Sequence, residues 1–360
     1  MQEYYLEELI IKYDNKRKPL STMVRNKLEK IYPYYGANGI IDYVDDYIFD
    51  GEYLLLAEDG TVLIDNKYPV IYETSGKFWV SNHAHVFKAN EEIVMQKFLY
   101  YILKNTIIND KITGTTQLKL SQENMNKIVV SIPDIPTQKK IVDLLYTIDK
   151  KIDINNNIIN ELYDLGDCIY NEKIKSSDSA VLVKLENIIE IFDSKRKPMS
   201  SREREKHKGI YPYYGATSII DYVDDYIFDG EYLLMGEDGT VKTKEGFPVL
   251  QYIWGKNWIN NHAHVLKGKN ISTEYLLFIL RKQNIENIIT GAVQPKINQE
   301  NMNNLEVYIG DEIVNNEVDK SFVSIINKIR NTIEENIHLA KLRDDTLKEF
   351  MKGELKLDNF

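Results

Sequence analysis

The 360-residue sequence predicts an α+β protein: two similar, mostly-β domains separated by two long helices that form an antiparallel coiled coil, the whole pseudo-two-fold symmetric. Three observations predict it. The stretch IIDYVDDYIFDGEYLL at 40–55 returns letter for letter at 219–234. Each copy is dense in Tyr, Val, Ile and Phe and punctuated by Gly and Asp, which reads as strands and turns. After each copy comes an apolar seam at steps of three and four.

The duplication covers most of the chain. Residues 31–62 align with 210–241 without a gap, and four of those 32 positions differ. KRKP at 16–19 returns at 195–198, and NHAHV at 82–86 returns at 261–265. Further on the offset falls from 179 to 177, where TGTTQLKL at 113–120 matches TGAVQPKI at 290–297. A period this long is not that of a solenoid, whose units run to roughly 20–50 residues. A whole domain has been copied. The expected divisions are a first domain at 1–135, a long helix at 136–175, a second domain at 176–312 and a second long helix at 313–360.

Within each copy, alternation in EYLLLAEDG and FWVSNHAHVF marks strands, and short helices are expected at 91–105 and 272–284. The first seam runs through Ile141, Leu145, Ile148, Ile152, Asn155, Ile159, Leu162, Gly166 and Ile169. The second, weaker one runs through Val318, Phe322, Ile325, Ile329, Thr332, Asn336, Leu339, Arg343 and Thr346. A helix of about 35 residues is roughly 50 Å long, too long to lie across one small domain, so each apolar stripe is expected to meet the other helix. Equivalent halves in the order domain, helix, domain, helix make the pairing antiparallel, as if an isologous dimer had been fused. Asn155 and Thr332 in mid-seam either fix register or are solvated imperfections.

Composition narrows the function classes. With 43% hydrophobic and 11% aromatic residues the chain is not disordered. No apolar run approaches bilayer length, and the acidic start MQEYYLEELI is no basic leader, so a cytoplasmic protein with no membrane partner is expected. The single cysteine, Cys168, excludes an internal disulfide framework and a thiolate-rich zinc site, and is expected as a small buried helix residue. A net charge of −10 means that any nucleic acid must meet a local patch.

The aromatic-Gly-acid block at 32–60 and its copy at 211–239, with QLKLSQENMNKIVVSIP at 117–133 and PTQKKI at 136–141, resembles the specificity subunit of type I restriction-modification systems over essentially the full chain. The second half departs where YIGDEIVNNEVDKSF has no Pro or Gln in the slot that opens the helix. The resemblance implies that each half is a target recognition domain followed by a long helix. It also implies a reader of double-stranded DNA that directs two methyltransferase subunits, and with them restriction subunits, to a bipartite target. S-adenosylmethionine, ATP and Mg²⁺ are then expected only on those partners. In agreement, the sequence has no Gly-rich strand-turn-helix, no Asn-Pro-Pro-aromatic motif and no phosphate loop ending in Gly-Lys-Ser/Thr. No catalytic residue and no metal ligand set is expected. Readings from other classes are a metal-dependent DNA-processing enzyme and a coiled-coil scaffold that binds no DNA.

Phosphate contacts need cations or amides, and base edges need Arg, Lys, Asn, Gln or hydroxyls on reaching loops. Candidates are Lys16, Arg17 and Lys18 with their copies Lys195, Arg196 and Lys197, read as phosphate-facing against the alternative of a solvated turn. Lys77, Asn82 and His83 recur as Lys256, Asn261 and His262, with Trp79 and Trp258 divided between groove and core. Gln117 and Lys119, and Gln294 and Lys296, follow a Thr-Gly turn. Asp42, Asp45, Asp46, Asp50 and Glu52 would repel phosphate, so their hairpin is expected to turn away, and no base beside them suits a two-metal nuclease. His83 with His85, and His262 with His264, have strand spacing that puts both rings on one face, yet a zinc site lacks two further ligands. Where the copies agree the half-targets should share bases as inverted repeats. Where they differ, from Leu63 against Lys242 and from Ile71 against Leu250 onward, the halves read different bases, giving a nearly palindromic bipartite target.

Overall fold

The central run YLLLA is apolar at every position, which in a strand means burial on both faces. In the computed structural model, which describes residues 1–178, 180–291 and 294–352, that run divides its side chains between two cores. Leu54 and Leu56 join Phe87, Phe98 and Leu99 on the helix side, while Leu55 joins Phe49, Phe78, Val80 and Val86 on the other. The copy repeats this with Leu233 and Met235 against Leu234.

Two compact units divide the chain. One holds residues 1–153 with those from Asn336 onward, and the other holds 154–335. In the first unit the strands are β1 (Gln2–Tyr5), β2 (Ile10–Lys12), β3 (Tyr32–Gly36), β4 (Gly39–Val44), β5 (Phe49–Asp50), β6 (Tyr53–Ala57), β7 (Leu63–Ile64), β8 (Tyr68–Pro69), β9 (Ile71–Thr74), β10 (Lys77–Val80), β11 (Ala84–Ala89) and β12 (Val129–Ile132). They form one antiparallel sheet in the order β2-β11-β6-β9, a second in the order β4-β3-β10-β5 with β3 and β10 parallel, and the pairs β1-β12 and β7-β8. The second unit has β13 (Val181–Lys184), β14 (Ile189–Ile191), β15 (Lys208–Tyr214), β16 (Ile219–Val223), β17 (Phe228–Asp229), β18 (Tyr232–Gly236), β19 (Leu250–Ile253), β20 (Lys256–Ile259), β21 (Ala263–Gly268) and β22 (Glu306–Ile309). Its sheets, β14-β21-β18-β19 and β16-β15-β20-β17, repeat the first pair strand for strand.

In each unit one short helix, Gln96–Lys104 or Thr273–Arg281, packs on the antiparallel four-stranded sheet, β2-β11-β6-β9 or β14-β21-β18-β19. The first starts later than its periodicity suggests because Met95 is extended, its amide donating to Gln138 Oε1 at 2.8 Å. Gln138 is fully buried and its Nε2 donates to the carbonyls of Ile93 (3.0 Å) and Pro133 (2.9 Å), so the Gln of PTQKKI rivets the first long helix, Ile135–Tyr170, to its sheet. The second long helix, Glu312–Lys352, lacks that Gln, but Asn315 does the same work. Its Oδ1 accepts the Gly310 amide and the Tyr275 hydroxyl, both at 2.9 Å, and its Nδ2 donates to the Gly310 carbonyl. The residues beyond 352 that the sequence assigned to this helix lie outside the described residues.

Each unit takes the start of one long helix and the end of the other. In the first unit Ile141, Val142 and Leu145 share a core with Leu347 and Phe350, and Asp149 meets Arg343 at 2.7 Å. In the second, Asn155 Nδ2 donates to Glu335 at 2.9 Å, while Tyr170 and Ile174 share a core with Val318 and Phe322. Numbers rise along one helix as they fall along the other, the antiparallel course that the seams imply. The polar seam residues are not solvated: Asn155 and Thr332 are 1% and 3% exposed, and the Thr332 hydroxyl donates to the Lys328 carbonyl at 2.7 Å. Cys168 corrects the sequence reading, because it lies exposed on the helix, where the Glu172 carboxylate pushes its thiol pKa up and disfavours the thiolate. No helix among the described residues is long and apolar enough to cross a membrane.

Gly166 shows how tightly the second unit closes. A Cβ there would lie 2.1 Å from the Phe278 ring, which stacks on Phe322 at 4.7 Å. Gly to Ala inside a helix ordinarily stabilises by up to about 1 kcal/mol. Here Gly166→Ala should destabilise by about 1–3 kcal/mol, because the buried ring has to be displaced. Urea unfolding of the purified chain checks the sign, and a stabilised variant would contradict the packing.

Candidate nucleic-acid interface

A buried ion cluster lies beneath each KRKP loop. His85, 1% exposed on β11, places Nδ1 2.7 Å from Asp14 Oδ2 and Nε2 2.8 Å from the Leu120 carbonyl. Both ring nitrogens thus face acceptors, a carboxylate on one side and a carbonyl on the other. Asp14 also accepts the Val86 amide at 2.7 Å. Arg17 donates to Glu58 at 2.7 Å, to the Ala84 carbonyl at 2.7 Å and, through Nε, to the Asp14 carbonyl at 3.1 Å. The second unit repeats every element: His264 lies between Asp193 (2.6 Å) and the Ile297 carbonyl (2.8 Å), and Arg196 donates to Glu237 (2.6 Å) and the Ala263 carbonyl (2.6 Å). Trp79 and Trp258 pin the loops from outside, each indole donating to the carbonyl of Lys18 or Lys197 at 2.6 Å. They are half-buried fasteners.

Around each cluster the exposed candidates gather. The Glu58 amide donates to the His83 carbonyl at 2.9 Å, and the Gly60 amide donates to the Leu118 carbonyl at 3.0 Å, which brings the turn at 82–83 beside the loop at 113–119. That loop is closed by reciprocal amide bonds between Thr113 and Lys119 (2.9 and 2.8 Å), and its Gly114 holds φ +90, where an added Cβ would strike the Gln117 carbonyl at 2.1 Å. Thr290 and Lys296 close the matching loop, of which Ala292 and Val293 lie outside the described residues. Lys16, Lys18, Asn82, His83, Gln117 and Lys119 are thus collected on one rim, as are Lys195, Lys197, Asn261, His262, Gln294 and Lys296, all of them exposed. His83 Nδ1 is held by Asp59 at 2.7 Å and His262 Nδ1 by Asp238 at 2.6 Å, which leaves Nε2 of each ring for a ligand. Asp59 and Asp238 escaped the sequence reading, although AEDG and GEDG stand at matching places near the end of the copied block.

Three expectations change. Arg17 and Arg196 do not stand out on the rim with their neighbouring lysines: their guanidinium groups point inward and are engaged by partly buried carboxylates and by carbonyls. Lys77 and Lys256 are not on the rim, because they start β10 and β20 at the far end of those strands, each over a tyrosine ring (Tyr47, Tyr226) at 4.5 Å. His83 and His85 do not share a face. β11 begins at Ala84, so His83 sits in the preceding turn and only His85 points into the core, and His262 and His264 differ in the same way. In the acidic block, Asp42 is neutralised by Arg25 (2.9 Å) and Lys30 (2.8 Å). The divergent segment from Leu250 serves packing: Tyr252 donates to Glu274 at 2.5 Å, and Trp254 donates to Glu334 at 2.9 Å under the Arg330 guanidinium. Asp193, Glu237 and His264 lie close enough together to hold a cation, and Arg196 already supplies one there.

Burial alone would raise the Asp14 and Asp193 pKa values, but the histidine, the amide and further donors hold both below the ordinary 3.8. A carboxyl with a lower pKa in the folded state adds stability above its unfolded value and loses that stability as pH falls through the folded one. Stability should therefore decline below about pH 4. Asp14→Asn and Asp193→Asn should each cost about 3–5 kcal/mol near neutrality, by removing the carboxylate that the buried histidine, the β-strand amide and the arginine share, and should flatten that acid decline. Urea unfolding as a function of pH checks this, and an acid limb identical to wild type would contradict it.

The comparisons with known proteins agree on one family. The family model described as "Type I restriction modification DNA specificity domain" matches residues 1–163 and again 180–340. A Haemophilus influenzae protein named as a putative type I restriction enzyme specificity subunit is 36% identical over 140 residues, 39% of this chain and 35% of that protein. A type I restriction enzyme specificity subunit of Mycoplasma pneumoniae is 30% identical over 122 residues, 33% of this chain and 35% of that protein. The chain thus spans about a third of the length of these curated relatives. A crystal structure of a type I restriction-modification S subunit from M. genitalium matches with a TM-score of 0.56 at 15% identity, covering 97% of this chain and 95% of that one, and so shares the fold. Because the family model matches nearly the whole of both halves, the chain belongs to the type I restriction-modification DNA specificity family and carries its domain twice.

Proposed function

We propose that this chain is the DNA-reading specificity subunit of a type I restriction-modification complex and performs no chemistry itself. It reads a bipartite target in double-stranded DNA and directs two methyltransferase subunits and the restriction subunits to it in the cytoplasm. S-adenosylmethionine, ATP and Mg²⁺ are held by those partners. The observation that carries this reading is the repetition of one exposed rim, lysines with Asn, Gln and His, upon one buried ion cluster in each unit. An acidic chain that gathers cations and amide side chains on loops at the same place twice has the means to hold phosphates and to meet base edges twice. The names of the similar proteins point the same way. No observation favours the metal-dependent enzyme, since an arginine already fills the carboxylate-histidine cluster of each unit.

The rim makes a division of labour among neighbouring residues. Exposed Lys16 and Lys18 should act on DNA, whereas inward Arg17 should act on the fold. Lys16→Ala with Lys18→Ala should leave unfolding unchanged and reduce the slope of log affinity against log salt by about one for each phosphate no longer neutralised. Arg17→Ala should instead lower the unfolding midpoint. Duplex binding titrated against salt, with and without methyltransferase subunits, checks both. Salt-insensitive binding, or DNA cleavage by the chain alone, would contradict the reading.

A further inference from the structure

We infer that the tip of the β3–β4 hairpin, Asn38 and Gly39 in the first unit and Thr217 and Ser218 in the second, determines a base at which the two half-targets differ. This rests on the DNA-reading role proposed above and names residues for it that lie outside the rim already described. The four differences between 31–62 and 210–241 are Asn38/Thr217, Gly39/Ser218, Leu56/Met235 and Ala57/Gly236. Leu56 and Met235 are fully buried and exchange one core side chain for another of similar volume. The other three converge on one place.

That place is the hairpin tip and its support. In the first unit Gly36 pairs with Gly39, so the loop is the pair Ala37–Asn38, and Gly39 holds φ +102, which a residue with a Cβ rarely adopts. Ala37, Tyr72 and Leu118 each pack against the small cluster of Ala57, Val62 and Val70. In the second unit Ser218 has no positive φ, the Gly215 amide donates to the Ser218 carbonyl at 2.8 Å, and strand pairing resumes only at Tyr214 with Ile219. The support has changed with the tip. Gly236 replaces Ala57, and Gln251 replaces Tyr72 and donates to the carbonyls of Gly215 and Ala216, both at 3.1 Å. An apolar prop in one unit is a hydrogen-bonded one in the other.

Drift without consequence would scatter over the exposed positions of the block. Ile40, Ile41, Tyr43, Asp45 and Asp46 are all exposed, and all recur unchanged. Instead the changes fall on a tip whose backbone and underlying props differ together. Through Ala37 and Leu118 that tip shares a small apolar cluster with the loop that carries Gln117 and Lys119, which sets Asn38 beside the rim. The side-chain chemistry also differs in the sense a reader needs: a carboxamide offers donor and acceptor together and suits adenine, whereas Thr and Ser offer a hydroxyl and, in Thr, a methyl group that packs on thymine.

The test is an exchange of tips in the full chain, assembled with its methyltransferase subunits and presented with duplexes randomised in both half-targets. N38T/G39S, and N38T/G39S/A57G/Y72Q to carry the new support, should change base preference at one position of the first half-target by about tenfold or more and leave the second half-target as in wild type. T217N/S218G should produce the reciprocal change, which covers the case in which Ser at position 39 strains the hairpin. Folded variants that select the wild-type sequence in both halves would overturn the inference. A wild-type complex that shows no preference at any position would instead overturn the DNA-reading role on which it rests.

Discussion

Four titratable groups largely withdrawn from water, Asp14, Arg17, Glu58 and His85, are drawn from three separate stretches of the first unit, and their bonds reach a fourth at Leu120. A guanidinium and an imidazole bridge the two carboxylates, and carbonyls and amides take up the remaining donors and acceptors. Breaking one partner would strand the others. The cluster therefore couples the KRKP loop, the turn before β11 and the end of the loop at 113–119, and those are the segments that bear the exposed lysines and amide side chains. Its counterpart, Asp193, Arg196, Glu237 and His264, shows that the duplication copied the anchorage of the rim as well as its sequence.

The long helices follow a related logic. Each leaves its own sheet through a hydrogen-bonded amide side chain, the buried Gln138 in one case and the partly buried Asn315 in the other, and each unit then closes around the start of one helix and the end of the other. The carboxamide satisfies backbone groups that the end of a strand and the start of a helix would leave unpaired. Different residues at the two junctions achieve one result, because what each junction requires is a donor and an acceptor at a fixed place.

Much of this was legible in the sequence because duplication and periodicity are long-range signals. The repeat of 40–55 at 219–234 announced two like domains, the seam from Ile141 to Ile169 announced a helix, and the block with PTQKKI pointed to the family. What sequence could not resolve was the direction of individual side chains. Arg17 stands between two exposed lysines and turns inward because the partly buried Glu58, 41 residues away, lies opposite it. Lys77 is near Asn82 in sequence, yet a strand carries it to the other end of the sheet. Asp59 is invisible as a partner of His83 until the turn at 82–83 is folded against it. Cys168 was expected inside by composition and lies outside because its place on the helix is off the seam.

The central claim is that two equivalent heads read two related sequences. Mapping methylated adenines across a genome that carries this chain with its methyltransferase subunits tests it most directly. The account predicts methylation at a bipartite target whose two parts are inverted near-repeats differing at a small number of bases. Two wholly unrelated half-targets, or methylation that does not depend on this chain, would contradict it.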